Sequence, residues 1–195
     1  ARQSRGHLVR DLASRERQAQ AILDMTPEQA LQYGRFNLIA FDEQGLSYAS
    51  NYPHCRSTAL TAGVYGLSNA DLDAPWPKLQ QAREALRNWL PTTPDATPGE
   101  ADIQGLLDAL LEPKPYPDHL LPDTGIGLEH ERFLSSAFIR GEHYGTRASS
   151  IVLVGADTIR FVEHRFGPMG EPRGHTDTTM PRMFPPSPAP EIGRA

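Results

Sequence analysis

Polar side chains that could bind a ligand or take part in catalysis are concentrated in one turn, which contains Ser68, Asn69 and Asp71. The β-forming residues before it predict a strand that ends at Gly66, and Pro75 or Pro77 suits the first turn of a following helix. Loops held between two rigid elements commonly carry ligand-binding and catalytic side chains. The alternative is that the amide and carboxylate of this turn only satisfy turn and helix-cap hydrogen bonds. Both interpretations remain open at the level of sequence.

Local patterns predict the elements that must position this turn. In the first third of the chain they predict helical segments around residues 8–12 and 19–23, a helix start at Thr26-Pro27, and strands near residues 36–41, 46–50, 58–60 and 63–65. The middle of the chain is predicted to form a helix over 76–90 capped by Asp73, a second helix near 101–111, and a short helix or turn near 128–134. A hairpin of residues 151–154 and 159–165 is predicted to follow. Residues from Gly167 onward are predicted to be loop, and the Pro-rich stretch 183–190 is predicted to be disordered. Strands first, helices in the middle and strands last predict an α+β fold with mostly antiparallel sheet.

Composition excludes several classes of protein. A net charge of -5 argues against a nucleic-acid-binding surface, which needs clustered Lys and Arg. No apolar run is long enough for an integral membrane segment. Cys55 is the single cysteine, which excludes an internal disulfide and fits a cytoplasmic location. The seven histidines do not form a paired metal-ligand spacing, so no metal site is predicted.

Several blocks of the sequence resemble, in order, the motifs of one known family. The blocks are Ser4-Arg5-Gly6-His7-Leu8-Val9, Arg35-Phe36-Asn37-Leu38-Ile39, the segment from Tyr65 to Lys78, the segment from Leu121 to Glu129, Tyr144-Gly145-Thr146-Arg147 and Arg160-Phe161-Val162-Glu163. The family is the NRDE family, also called the transport and Golgi organization 2 family. The resemblance implies a family domain over residues 1–172 and a Pro-rich tail over residues 173–195. The tail departs from the family, whose members usually end in a further strand.

The chain also departs from the family at the other end. The family is named for an Asn-Arg-Asp-Glu run that follows a cysteine next to the initiator Met, and neither is in this sequence. We therefore expect a chain that lacks the N-terminal segment of the family domain.

The resemblance implies a fold and a mechanism. Members are thought to resemble N-terminal-nucleophile hydrolases, which implies an αββα sandwich of antiparallel sheets, here incomplete at the N-terminus. In such enzymes the first residue is the nucleophile and its α-amino group, with a pKa of about 8, is the base. Asn69 resembles the asparagine that stabilises the oxyanion, and Arg147 resembles a late arginine that orients the site. For Arg147 the alternative is an ion pair with a carboxylate such as Glu129 or Asp123.

Two functions of different class follow from the resemblance. The first is an amide or thioester hydrolase whose nucleophilic cysteine lies in the missing segment, with Ser68, Asp71 and Trp76 as substrate-binding residues. The second is a non-enzymatic protein that binds and transports haem or a lipid or acyl-coenzyme A. Either function implies a small amphipathic or acyl partner and no required cofactor. A product without activity of its own is a third possibility.

Haem, as a ligand, would need a histidine or one of Met169, Met180 and Met183. The alternative for these methionines is that they are exposed loop residues with no role.

Overall fold

The computed structural model describes residues 2–15, 17–92, 97–99 and 101–183. The chain divides into two compact units, one that includes Ala1–Gly63 and one formed by Val64–Met183. Across the described residues the fold is α+β, with six α-helices and two three-stranded antiparallel sheets. The α+β class predicted from the sequence is thereby confirmed.

The first unit places three helices before a three-stranded meander. Its elements are α1 (Arg5–Ala13), α2 (Gln18–Leu23), α3 (Pro27–Ala30), β1 (Asn37–Asp42), β2 (Gly45–Ser50) and β3 (Arg56–Leu60). The strand order is β1-β2-β3, and Asp42 pairs with Gly45 at the turn of the first hairpin. The predicted strands near residues 36–41, 46–50 and 58–60 are thus observed, with bounds that differ by a residue or two.

Local capping chemistry explains how α2 and α3 begin. The Thr26 hydroxyl accepts a hydrogen bond from the Gln29 N–H, and the Gln29 side chain accepts one from the Thr26 N–H. This reciprocal capping box, with Pro27 in the first turn, satisfies donors that a helix start leaves unpaired. The α2 helix has no such cap of its own, and the Asp42 carboxylate instead accepts from the Ala19 N–H at 2.8 Å.

The core of the first unit combines apolar side chains with one buried amide. Leu8, Leu12, Ile22, Ala30, Phe36 and Ala49 form the buried apolar cluster. Asn51 is buried beside it, and its Oδ1 accepts from the Phe36 N–H while its Nδ2 donates to the Ala30 carbonyl, both at 2.9 Å. Because buried polar groups must be hydrogen-bonded, Asn51 ties α3 to the start of β1.

The second unit contains the remaining helices and the second sheet. Its elements are α4 (Pro77–Trp89), α5 (Gln104–Leu110), α6 (Leu128–Leu134), β4 (Ala148–Val154), β5 (Thr158–Phe166), β6 (Pro172–Pro181) and the short 3-10 turns Leu90–Thr92, Asp118–Leu120 and Pro168–Gly170. The sheet order is β4-β5-β6. The buried side chains of Ile103, Leu107, Ile151 and Val162 form its core between α5 and the sheet.

The predicted helices and the second hairpin are largely confirmed, and three predictions are wrong. Residues 63–65 do not form a strand, and the Val64 carbonyl accepts a hydrogen bond from Arg83 of α4. Asp73 does not cap α4, since Trp76 occupies the N-cap position. The α5 helix begins at Gln104 rather than near residue 101.

The prediction of loop from Gly167 onward is also wrong for part of that segment. Residues Pro172–Pro181 form β6, which pairs with β5 along nearly its whole length. The strand escaped prediction because nearly all its side chains are exposed and no alternation of apolar residues marks it. The predicted disorder over residues 183–190 lies, apart from Met183, outside the described residues. The domain boundary at residue 172 stays a prediction.

Candidate functional site

The turn that carries the candidate site residues is closed by Asp73 rather than by helix capping. The Gly66 N–H donates to Asp73 Oδ1 at 2.7 Å, and the Asp73 N–H donates to the Gly66 carbonyl at 2.7 Å. Asp73 has a φ of 61°, in the left-handed region that aspartate tolerates better than most residues. The paired hydrogen bonds hold residues 66–73 as a closed loop directly before α4.

Arg83 on α4 completes the closure of this loop, and we call residues 66–73 together with Arg83 the loop lock. Its Nη1 lies 3.2 Å from Asp73 Oδ1, and its Nη2 donates to the Val64 carbonyl at 3.2 Å. The Arg83 side chain is only 15% exposed. Its Nε is buried and has no hydrogen-bond partner within the described part of the chain. A charge-assisted contact to Asp73 thus fixes the guanidinium while its buried Nε–H stays unpaired within the described residues.

Gly66 allows the loop to lie directly on α4. A Cβ atom at this position would lie 2.7 Å from Leu79 Cγ and 2.8 Å from Arg83 Cδ. Such distances are shorter than any ordinary contact, so only glycine fits without displacement of a neighbour.

An apolar cavity of about 360 Å³ adjoins the loop lock. It is lined by Tyr65, Gly66 and Leu67, by Leu79, Ala82, Arg83, Ala85 and Leu86 of α4, by Leu106, Ala109 and Leu110 of α5, and by residues 150–153 of β4. Its volume lies within the range of small-molecule sites, which are mostly apolar with a few placed polar groups. Arg83 supplies the charged group of the lining.

The predicted site residues differ in the exposure and the interaction partners of their side chains. The Asn69 side chain is exposed and makes no hydrogen bond to the described residues. Ser68 and Asp71 are half-buried, and each has an interaction partner. Trp76 is half-buried at the start of α4, with Lys78 Nζ 5.8 Å from its ring centroid. The structure therefore leaves the Asn69 amide available, and the catalytic and substrate-binding roles of these residues stay predictions.

Arg147 lies directly before β4 and is exposed. Its backbone carbonyl accepts from the Phe166 N–H at 2.9 Å. Its guanidinium forms no ion pair with Glu129, Asp123 or any other carboxylate of the described ranges. The ion-pair alternative is therefore not observed, and no bond joins Arg147 to the loop of residues 66–73.

Sequence reasoning did not identify Arg83, although a signal was present. Leu79, Arg83 and Leu86 stand at helical spacing on one face of α4. A charged residue within an apolar stripe must have a partner, and Asp73, four residues before the helix start, is that partner.

A second depression lies over α6 and is more open. It measures about 550 Å³ and is lined by Glu129, His130, Phe133, Leu134 and Tyr144. Below it, Lys78 Nζ donates to the Leu134 carbonyl at 2.7 Å. Burial lowers the pKa of Lys78, and the charge of Glu131 opposes this shift. Glu131 is itself buried and accepts from the Thr124 N–H and hydroxyl at 2.7 and 2.6 Å.

No group of three or more His, Cys, Asp or Glu side chains within the described ranges could hold a metal ion. Met169, Met180 and Met183 are all exposed. Among the helices described, none has the length and apolar character that a membrane crossing requires.

Comparison with known proteins identifies the family. The family model "Transport and Golgi organisation 2" matches residues 1–168. The human transport and Golgi organization protein 2 homolog is 33% identical over 162 residues, which cover 78% of this chain and 58% of the human protein. The bovine homolog is 32% identical over 165 residues, with the same coverage. A mouse homolog is 29% identical over 185 residues, covering 89% of this chain and 66% of the mouse protein. The chain thus spans 58% of the human and bovine relatives and belongs to the transport and Golgi organisation 2 family.

Proposed function

We propose that the chain binds a small amphipathic ligand in the cavity between α4, α5 and the edge of β4. The observation that carries this proposal is the combination of an apolar lining with one buried, incompletely bonded guanidinium. The ligand would place an acyl or other hydrocarbon part among the leucines and its polar end beside Arg83.

The apolar lining supports the hydrocarbon part of the ligand. Side chains of Leu79, Leu86, Leu106 and Leu110 contribute to the wall. Each methylene group transferred from water to such a wall contributes about 0.8 kcal/mol. The cavity volume is sufficient for a ligand of many such groups, although the entropy lost on association offsets part of the gain.

The state of Arg83 supports a polar end that accepts hydrogen bonds. A buried donor left without an acceptor costs about 1–3 kcal/mol. The Nε–H of Arg83 is such a donor, and a carboxylate, phosphate or thioester oxygen would satisfy it. Because Asp73 already balances the charge of Arg83, a neutral carbonyl suits the position as well as an anion does.

The family context is compatible with this proposal. The relatives carry names that refer to transport and Golgi organization. The resemblance to the family implies haem and lipid or acyl-coenzyme A as ligands. We propose that the protein carries such a ligand in the cytoplasm, where its free thiol at Cys55 would stay reduced.

A displacement titration with a fluorescent long-chain fatty acid tests the proposal. Ala82→Phe adds a ring to the cavity wall without a change at Arg83, so we expect at least a tenfold loss of affinity. Glu84→Ala on the exposed side of the same helix is the matched control and should change affinity less than twofold. Equal affinity of Ala82→Phe and wild type would exclude this cavity. If Ala82→Phe leaves haem binding and its shifted absorption band intact, the haem site lies outside this cavity.

A second proposed function is hydrolysis of an amide or thioester by an N-terminal cysteine in an αββα sandwich. The exposed Asn69 amide favours it, because a side chain that is free of turn hydrogen bonds is available to stabilise an oxyanion. Here the nucleophile would come from a segment that the sequence does not include.

The test of this second function uses a form extended by the N-terminal segment of a relative. Asn69→Ala should abolish hydrolysis that depends on the first cysteine, and Arg147→Gln should lower it. Full activity of Asn69→Ala would remove the amide from the mechanism. Ligand binding without any hydrolysis would exclude the hydrolase function and leave only the carrier function.

A further inference from the structure

Two histidines face each other across the second sheet. His164 of β5 pairs with His175 of β6 in the antiparallel register. Their ring centroids lie 5.7 Å apart, with an angle of 45° between the ring planes. The His164 side chain is half-buried and the His175 side chain lies on the largely exposed β6, so each keeps a path to solvent. The ladder is irregular directly after His164, between His164 and Phe166. Irregularities of this kind often re-aim side chains near functional sites.

The imidazole nitrogens of this pair are not engaged elsewhere. Neither ring donates or accepts a hydrogen bond with the residues that the structure describes. The nearest carboxylate on the same face of β6 belongs to Asp177, and Arg160 binds both of its oxygens at 2.9 and 2.7 Å. The pair therefore presents lone pairs that no protein donor occupies.

The separation of the two rings matches a chelate with nitrogen ligands. A zinc–nitrogen bond is about 2.0–2.1 Å long, and the ring centroid lies about 1.1 Å behind the ligating nitrogen. Two imidazoles on a tetrahedral ion therefore have centroids about 5.2 Å apart. The observed 5.7 Å corresponds to a wider angle at the metal, or to a half-ångström adjustment of two surface-facing rings.

We propose that His164 and His175 form an exchangeable site for a borderline divalent transition-metal ion. Imidazole nitrogen suits Cu²⁺ and Zn²⁺, and Cu²⁺ binds more tightly in the general order of affinities. Hard ions such as Mg²⁺ and Ca²⁺ prefer oxygen ligands and are excluded. No third His, Cys, Asp or Glu joins the pair in the described part of the chain. Water fills the remaining positions, so the ion exchanges freely and has no role in folding.

The site lies outside the cavity proposed for the amphipathic ligand. Neither histidine lines that cavity, and β5 and β6 do not contribute to its wall. Metal binding and ligand binding can therefore be measured separately on the same chain.

Titration of the whole chain with Cu²⁺, followed by electron paramagnetic resonance, tests the proposal. We expect one bound Cu²⁺ with two nitrogen ligands, displaced by excess Zn²⁺. His164→Gln and His175→Gln should each weaken binding at least tenfold and remove one nitrogen from the spectrum. His130→Gln, an exposed histidine on α6, is the matched control and should leave both the affinity and the spectrum unchanged.

A relocation variant separates pairing from the mere number of histidines. His175→Gln combined with Thr178→His keeps the histidine count but moves one imidazole to the opposite face of β6. This double variant should bind as weakly as His175→Gln alone. Wild-type affinity in either single variant or in the relocation variant would overturn the proposal. A single nitrogen ligand in the wild-type spectrum would also overturn it, and that result does not depend on the folding of any variant.

Discussion

Replacing Gly66 by alanine should destabilise the second unit by about 1–3 kcal/mol, the usual cost of overpacking a well-packed site. The added methyl group would lie 2.7 Å from Leu79 Cγ and 2.8 Å from Arg83 Cδ. Neither neighbour moves cheaply, because Leu79 is buried and the Arg83 guanidinium is held by Asp73 and by the Val64 carbonyl. The φ of Gly66 lies outside the left-handed region, so the whole effect comes from this collision.

Thermal unfolding followed by circular dichroism is the assay. For a chain of this size, a loss of 2 kcal/mol lowers the Tm by about 4–8 °C. Gly105→Ala is the matched control, since it makes the same substitution within α5 at a position with no neighbour within 4 Å. Alanine is the better helix former, so the control should stabilise by about 0.5–1 kcal/mol. A Gly66→Ala protein as stable as wild type would refute the close packing of the loop on α4.

Three further predictions concern other contacts. Asn51→Ala should cost about 1–3 kcal/mol in chemical denaturation, because the Phe36 N–H and Ala30 carbonyl lose a buried partner; an unchanged midpoint would contradict this accounting. Asn69→Ala should change the free energy of unfolding by less than about 0.5 kcal/mol, since its exposed amide has no described partner; a large loss would show that it serves the turn. The hydrogen bonds and charge of Arg160 lower the pKa of Asp177, so its contribution to stability is present above the unfolded pKa near 3.8 and is lost as pH falls through the lower folded pKa. The Tm difference between wild type and Asp177→Asn should therefore shrink on acidification from pH 6 to pH 2, and a constant difference would argue against the ion pair.

The elements that could be predicted are those with a strong local pattern. The apolar spacing of α4 and α5, Pro27 and Pro77 in first helical turns, and the polar turn before Gly45 all act within a few residues. The hairpin of β4 and β5 was likewise predictable, because two runs of β-forming residues flank a short turn.

The candidate site was only partly predictable. The polar turn at Ser68 and Asn69 was found from its composition, and the structure shows that the Asn69 amide is available. Its closure was not found, because Asp73 looked like a helix cap and instead adopts a left-handed conformation. The left-handed conformation of Asp73 depends on Arg83, which lies on α4 and supplies the positive charge that binds the Asp73 carboxylate.

The family, the α+β class and the order of the locally encoded elements could be predicted without a structure, because motifs, caps and hydrophobic periods are short-range information. Which distant groups meet depends on the three-dimensional fold. It paired the largely exposed β6 with β5 and so brought His164 opposite His175, and it enclosed the cavity between two helices and a strand edge. Each of these arrangements is stabilised by contacts between residues far apart in the chain, and a sequence pattern read one window at a time contains no record of such contacts.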